Sequence, residues 1–464
     1  MAVSSSLSTA IIGAGASGTL CAANLLRRAT NPTLVRLADR SGEPGRGVAF
    51  GTVNPGHLLN VPAGRMSAWP DRPDDFVHWL QQNESAVLEG KPDPSRVFAP
   101  RPSYRRYLQS VLADAESRAA TGVTLERISD EAISVETASP GFRIIFAAGR
   151  TVAADRVVLT SGYSSPKDPP VENTGFYQSP RYVANAWTAG AVERIGPAEP
   201  VLLIGAGLTM VDVAVALQAN GHRGSILAIS RHGIFPLAHG PSAVHTGLLS
   251  VDRTTATTRV LVRRLRDEVR TARAANGQDW RGVVDAQRPI STALWQNLPS
   301  VEKRRFLRHA MPYWEVHRHR IAPEVASVID GLHRSGQLAV MAGHVRDLRE
   351  NEGGVDVTIR QRGRSADTVI RVGVVINCTG ASLDYRVERP AMIDSLIGQG
   401  LARPNELGFG LDSAPNGAVL DSRGEPTPGL FTVGVLRKGD LWESTAIPEL
   451  RAQAAALGKL LIEG

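Results

Sequence analysis

STAIIGAGASGTLCAANLLRR, residues 8–28, decides the fold. It reads as a short apolar strand (9–12), a glycine turn (Gly13, Gly15, Gly18) and a helix (19–28). The three glycines serve different ends, for the first permits the tight turn, the second lets a pyrophosphate approach the backbone, and the third lets helix pack on strand. The helix start, around Ser17, presents backbone N–H groups to the anion. A second strand, 34–38, ends at Asp39, where a carboxylate accepts hydrogen bonds from a ribose diol.

The plan returns at 201–219, where an apolar strand (201–204) leads into Gly205-Ala206-Gly207-Leu208-Thr209-Met210 and a helix closed by Asn220-Gly221. Met210 replaces the third glycine, which loosens the approach of helix to strand. The anion site, built on Gly205, Gly207 and the helix start at Thr209, does not depend on it. A strand at 225–229 then runs into Arg231, which lies 26 residues after Gly205, as Asp39 lies 26 after Gly13. The two ribose-reading positions therefore carry opposite charge. A carboxylate suits a free 2′-hydroxyl and repels a 2′-phosphate, whereas a guanidinium binds the phosphate in a charge-assisted, bidentate pair. The first site reads as one for FAD and the second as one for NADPH; a solvated arginine at a strand end is the plainer alternative for Arg231.

Each unit is followed by a hairpin-rich stretch, an apolar strand and a small-residue turn, at 157–162 and 374–380. Such turns put Gly162 and Gly380 at the carboxyl edge of a sheet, where dinucleotides lie in doubly wound folds. Between the second unit and its turn stands an extra segment, about 238–337, helical in pattern and rich in Arg, Trp and His. It is the expected seat of specificity.

Composition narrows the rest. With 464 residues, 42% hydrophobic and 21% charged, the chain has room for two or three domains and is a poor fit to a disordered chain, a fibre or a membrane bundle. Cys21 and Cys378 are the two cysteines, far apart and outside any CxxC, so redox chemistry has to come from a bound cofactor. No run of about 18 apolar residues occurs, and no Lys or Arg precedes the first apolar run, so no membrane span is expected and the cytoplasm is the expected compartment. The net charge of +7 comes from arginines spread singly along the chain, densest over 253–320 where Asp and Glu are interspersed; it reads as a surface property, with no nucleic-acid partner.

Beyond the glycine turns, five strings are long and specific: Gly45-Arg46-Gly47-Val48-Ala49-Phe50-Gly51-Thr52, His57-Leu58-Leu59-Asn60-Val61-Pro62, Ser230-Arg231-His232-Gly233, Tyr313-Trp314-Glu315-Val316-His317-Arg318-His319-Arg320 and Leu441-Trp442-Glu443-Ser444-Thr445-Ala446. With them the chain resembles, over nearly its whole length, the two-dinucleotide-binding-domain flavoproteins. It is most similar to the bacterial FAD/NAD(P)-binding family that includes flavin-dependent amino-acid N-monooxygenase-like enzymes. The resemblance implies an α/β fold of two Rossmann-like domains: a discontinuous FAD domain (1–165 and 374–464) and an inserted NADPH domain (166–373) that carries the helical insert. The C-terminal residues then complete the flavin site. Gly434 ends a strand at 430–434, and Ser444, Thr445 and Ala446 open a helix running to 461 whose N-terminus stabilises an anionic reduced ring. Relatives often have Gly-Asp after this strand; here it is Gly434-Val435.

Residues 45–60 are too rich in glycine and proline for regular structure, which suits a loop wrapping a flat cofactor. Arg46, Gly47 and Leu59 then contact it, and Asn60 is either free to hydrogen-bond the ring or an ordinary turn amide. His57 reads as structural. Residues 314–320 form a strand or a helix; Arg318 or Arg320 anchors a carboxylate or a nicotinamide phosphate beside Trp314, or else is salt-bridged at a domain interface. His317 and His319 have no third ligand at diagnostic spacing, so no metal is expected. Asn60, Arg318 and Arg320 are the expected catalytic set.

The resemblance implies that NADPH reduces FAD, that oxygen adds at flavin C4a, and that the hydroperoxide passes one oxygen to a small polar, acidic amino compound. The alternative is an FAD-dependent NAD(P)H reductase that passes electrons to a protein or quinone acceptor without oxygen insertion; a nucleotide-sensing binding protein is a third reading.

Overall fold

The chain runs through β1 (Leu7–Ile12), β2 (Thr33–Ala38) and β3 (Val123–Ile128), an antiparallel meander of β4 (Ala132–Thr137), β5 (Phe142–Phe146) and β6 (Thr151–Ala154), and β7 (Arg156–Leu159). Then come β8 (Tyr182–Val183), β9 (Val201–Ile204), β10 (Ile226–Ser230), β11 (Leu338–Asn351), β12 (Gly354–Gln361), β13 (Asp367–Val372) and β14 (Val374–Asn377), and last β15 (Ala418–Leu420) and β16 (Pro426–Thr432). The computed structural model describes residues 7–162, 165–250, 256–277 and 279–463; Arg253, at the edge of the arginine-dense stretch, lies outside them.

The first sheet has the order β15-β16-β7-β1-β2-β3. β1 pairs in parallel with both β2 and β7, so the strand order reverses at β1 and a crevice opens beyond its carboxyl end. Ile11, Val35 and Val158 are fully buried, as parallel strands covered on both faces require. The helix Ala16–Arg28 packs against the C-terminal helix Ile447–Glu463, and a Cβ on Gly458 would sit 3.0 Å from the Asn24 Cβ. Both chain ends thus build the first unit.

The second sheet has the order β13-β12-β11-β10-β9-β14-β8. β9 lies between parallel β10 and β14. β11 runs parallel to β10 and then, from Gly343, antiparallel to β12. The duplication is geometric: Gly13 abuts the backbone of Thr160 after β7, and Gly205 abuts that of Cys378 after β14.

Three expectations are corrected. The boundary at 373/374 falls inside the second sheet, because Val374–Asn377 pairs with β9 and β8 and the chain regains the first sheet only at β15; a fully buried apolar strand needs ladder partners on both sides. Residues 45–60 are not wholly irregular, since Gly47–Phe50 is a short helix. The helical insert ends before 337: helices from Thr258–Asn276 to Met311–Arg318 stand apart, but Pro323–Arg334 buries Val325, Ile329 and Leu332 in the second core, with Met210, as the crossover to β11. Among the described residues no helix is long and apolar enough to cross a membrane.

Candidate functional site

Gly13 has φ +104°, and a Cβ there would lie 2.7 Å from the Thr160 carbonyl oxygen, so glycine alone fits. A Cβ on Gly18 would overlap the Gly13 carbonyl oxygen. Gly15 behaves differently: its added Cβ would meet only the Gly47 Cα, at 3.5 Å. The Gly45 N–H donates to the Ala14 carbonyl at 2.8 Å, which lays the 45–50 segment along the glycine turn. The helix Ala16–Arg28 has no acid in its first turn, leaving its positive end uncompensated. Asp39 Oδ2 accepts from the Ala14 N–H at 3.0 Å, and Oδ1 accepts from the Ser41 N–H at 2.8 Å and its hydroxyl at 2.6 Å. Each carboxylate oxygen can accept further bonds from a diol.

The chain's end closes over this turn. Gly434 has φ +92°, and its Cβ would lie 2.6 Å from Ser17 Oγ. Ser444 is fully buried with no partner for its hydroxyl among the described residues, while Thr445 and Ala446 are half-buried, and the Ala446 carbonyl accepts the first N–H groups of the C-terminal helix, from Glu449 and Leu450 at 3.0 Å. Leu59 is buried with its N–H on the Ala99 carbonyl at 2.9 Å; Arg46 reaches Glu43 at 3.4 Å; Gly162 is exposed.

At the second turn Gly205 has φ +117° and Gly207 has open space where a Cβ would be; Thr209 is half-buried and Gly380, φ +87°, is likewise open. Arg231 is exposed at the end of β10 with no hydrogen bond or ion pair among the described residues. Beside it, Arg362 Nη1 donates to His232 Nδ1 at 3.1 Å. Burial first, then the charges of Arg362, Arg231 and His344, hold His232 below its ordinary pKa. These basic groups meet because Gly233 lies against Ala342 on β11. The result is an unneutralised cationic patch.

A junction of several segments carries the remaining residues. Tyr313–Arg320 is mostly helical, Met311–Arg318. Arg318 takes the salt-bridged alternative: its Nε and Nη2 donate to both oxygens of Glu443 at 3.0 and 3.1 Å, both side chains are under 10% exposed, and this edge of the guanidinium is occupied. Arg320, 3% exposed, pairs through Nη2 with Asp285 while its Nε has no acceptor among the described residues. The Asn60 side chain makes no hydrogen bond among the described residues; instead its backbone carbonyl lies 3.0 Å from His239 Nε2. Trp314 is half-buried, and its indole N–H has no partner among the described residues. His57 is structural, 2.7 Å from Thr52 Oγ1 and 3.0 Å from the Asp212 carbonyl. His317 lies 2.7 Å from the Tyr313 carbonyl and His319 3.4 Å from Glu315. A groove of ≈ 660 Å³ lies between Val433 and Leu457 and, of the quoted motif residues, touches Leu441.

Residues 10–164 match a family model described as FAD-NAD(P)-binding. No curated protein matches the sequence. Among solved structures, reduced ornithine hydroxylase (PvdA) from Pseudomonas aeruginosa aligns with a TM-score of 0.67 at 15% identity over 99% of both chains. DfoA, the FAD-bound cadaverine monooxygenase of Erwinia amylovora, aligns with a TM-score of 0.67 at 13% identity over 98% of this chain and 94% of its own. The thioredoxin reductase of T. acidophilum reaches 0.52 at 13% identity, over 98% and 97%. The chain has the two-dinucleotide-binding-domain flavoprotein fold. The matched residues contain the first glycine turn and Asp39.

Sequence reading missed His239, Asp285, Glu443 and Arg362. His239 had a faint signal, a lone histidine in the turn-rich Pro236-Leu237-Ala238-His239-Gly240-Pro241 just past the second unit. The other three are ordinary surface types whose partners lie between 35 and 130 residues away in sequence.

Proposed function

We propose that this flavoprotein is an NADPH-dependent monooxygenase that hydroxylates the amino nitrogen of a small amine bearing an acidic group. The supporting observation is the likeness along the whole chain to amine hydroxylases, with a TM-score of 0.67 to an ornithine hydroxylase and to a cadaverine monooxygenase. A dithiol route is unsupported: both cysteines are buried free thiols, and burial pushes Cys21 up to about 12.

The residues fit FAD. Facing glycines 15 and 47 leave a cradle that a side chain would fill, the helix dipole end is open, and the Ser444 hydroxyl is orphaned. FAD, once reduced by NADPH, supplies the electrons and activates oxygen. The chain does the rest. Asp39 accepts the ribose hydroxyls, and the N–H groups around Ser17 hold the pyrophosphate. Arg231 and Arg362 grip the 2′-phosphate of NADPH. Arg320 offers its Nε–H to the acidic group of the substrate, while its Nη2 stays on Asp285. Burial at the junction excludes water, so each of these contacts counts for more than it would in bulk solvent.

Product stoichiometry tests this reading. With L-ornithine or L-lysine, oxygen and NADPH should be consumed together and yield one hydroxylamine per NADPH, whereas cadaverine, which has no acidic group, should couple less well. NADPH oxidation that proceeds only with a quinone or protein acceptor, with no hydroxylamine, would establish the reductase instead.

A further inference from the structure

His239 is held in one tautomer by the backbone. Its loop is zipped to the end of the helical insert: the Leu237 N–H donates to the Val316 carbonyl at 3.1 Å, the Ile321 N–H to the Leu237 carbonyl at 3.0 Å, and the His239 N–H to the Ile321 carbonyl at 2.9 Å. Its Nε2 lies 3.0 Å from the Asn60 carbonyl oxygen, which can only accept. Nε2 therefore carries the hydrogen, and in the neutral ring Nδ1 is a bare lone pair. No group among the described residues hydrogen-bonds to Nδ1. The Phe98 ring, centroid 4.9 Å away, braces the imidazole from the first unit.

The charged groups around this ring are Arg320 and Asp285 of the insert and Arg65 of the 57–65 loop. Burial first, then Arg320, pushes His239 down to about 4; the Asn60 contact and Asp285 oppose the shift and do not reverse it. The ring is thus neutral in ordinary buffers. Asp285 is already paired with Arg320, a residue only 3% exposed, whose Nε–H has no acceptor among the described residues. An unused acceptor and an unused donor, each fixed by its own segment, are brought to one junction.

We propose that His239 orients the substrate amine: Nδ1 accepts one N–H of the uncharged amino group, while Arg320 Nε–H holds the acidic end of the same molecule. This rests on the amine reading above and names the residue that enacts it. Arg320 and Arg65, with Asp285 already paired, disfavour a bound ammonium, so the amine binds with its lone pair unprotonated. That lone pair, turned away from Nδ1, is the one that must meet oxygen.

Two amide substitutions separate this role from a scaffold role. Glutamine at 239 places its amide N–H near the Nε2 position and keeps the Asn60 contact without an acceptor at Nδ1. Asparagine places an amide oxygen near the Nδ1 position and gives up the Asn60 contact. In the FAD-loaded protein, amine binding is read from the perturbation of flavin absorbance by L-ornithine, L-lysine and cadaverine, and coupling from hydroxylamine per NADPH. H239Q should weaken the amine about tenfold to a hundredfold and shift turnover toward hydrogen peroxide, the scale of one orphaned hydrogen bond, while H239N stays near wild type. Wild-type behaviour in H239Q with loss in H239N would show that the ring only braces Asn60 and would overturn the proposal. So would loss of FAD or an altered resting flavin spectrum in H239Q with amine binding intact. If the wild type itself answers to none of the three amines, the amine reading falls, and this proposal with it.

Discussion

Gly15 and Gly18 differ in what their missing side chains would meet. A Cβ on Gly18 overlaps a carbonyl within its own unit, whereas one on Gly15 finds ordinary contact distance, 3.5 Å, from Gly47. Gly18→Ala should therefore destabilise the fold by about 1 to 3 kcal/mol, the usual cost of overpacking, seen as a lower melting temperature with or without FAD. Gly15→Ala should melt normally but release FAD, because the methyl fills the cradle and not the core; equal melting losses for the two would contradict this division. Arg231→Ala and Arg362→Ala should each weaken NADPH by roughly tenfold to a hundredfold and leave NADH almost untouched, since only NADPH carries the phosphate. Titration of both coenzymes checks it, and an equal loss would return Arg231 to the status of a solvated strand-end residue. The glycines were legible in the sequence because their constraint is local. Arg362 was not, because it reaches His232 only through the β11–β12 hairpin.

At the scale of elements, the helical insert is fastened to the segment that opens the C-terminal helix. Arg318 grips Glu443, Arg288 grips Glu449 at 2.7 and 2.8 Å, and the Trp295 indole N–H donates to the Gly439 carbonyl at 2.8 Å while stacking on Trp442 with centroids 4.8 Å apart. Trp442 itself has φ +61°, a strained value for a bulky residue that the surrounding packing must hold. Arg318→Ala leaves the Glu443 carboxylate buried and unpaired, which costs about 3 to 5 kcal/mol. The expected result is a lower melting temperature together with reduced FAD content, because Glu443 adjoins the buried Ser444. The double variant R318M/E443L should recover most of the stability. An R318A protein of normal stability with impaired amine binding would instead restore Arg318 as a ligand anchor.

The whole molecule is also tied between its two units. Arg101, opening the helix Arg101–Ser117, donates through Nη1 and Nη2 to both oxygens of Asp212 in the helix Leu208–Ala219, at 3.0 and 2.9 Å, and His57 bridges the same pair of elements. Burial is the leading cause that lowers the pKa of both His57 and His239, the latter to about 4. In the unfolded chain both titrate near their ordinary value of about 6.5. Between those values the unfolded chain binds more protons, so the histidine contribution is complete above about 6.5 and is lost as pH falls toward about 4. The melting temperature of the FAD-loaded protein should accordingly fall from about pH 7 to about pH 5, before carboxylates titrate, and H239N should flatten part of that slope. A melting temperature constant over this window would show that neither ring is held neutral by the fold.

The sequence by itself determined the two glycine turns, the strands that feed them and the opposite charges of Asp39 and Arg231, while the assembly of the first unit from both chain ends was implied only by the family resemblance. The turns, strands and charges are consequences of backbone sterics, period and spacing, which act over tens of residues. Only the tertiary structure decided that Val374–Asn377 belongs to the second sheet, that Arg318 is spent on Glu443 while Arg320 keeps one N–H in reserve, and that His239 faces Asn60 across 179 residues of chain. Whether a buried charge is paired or available depends on which distant segment packs against it. No periodicity encodes that, because the partner is chosen by the closure of the fold.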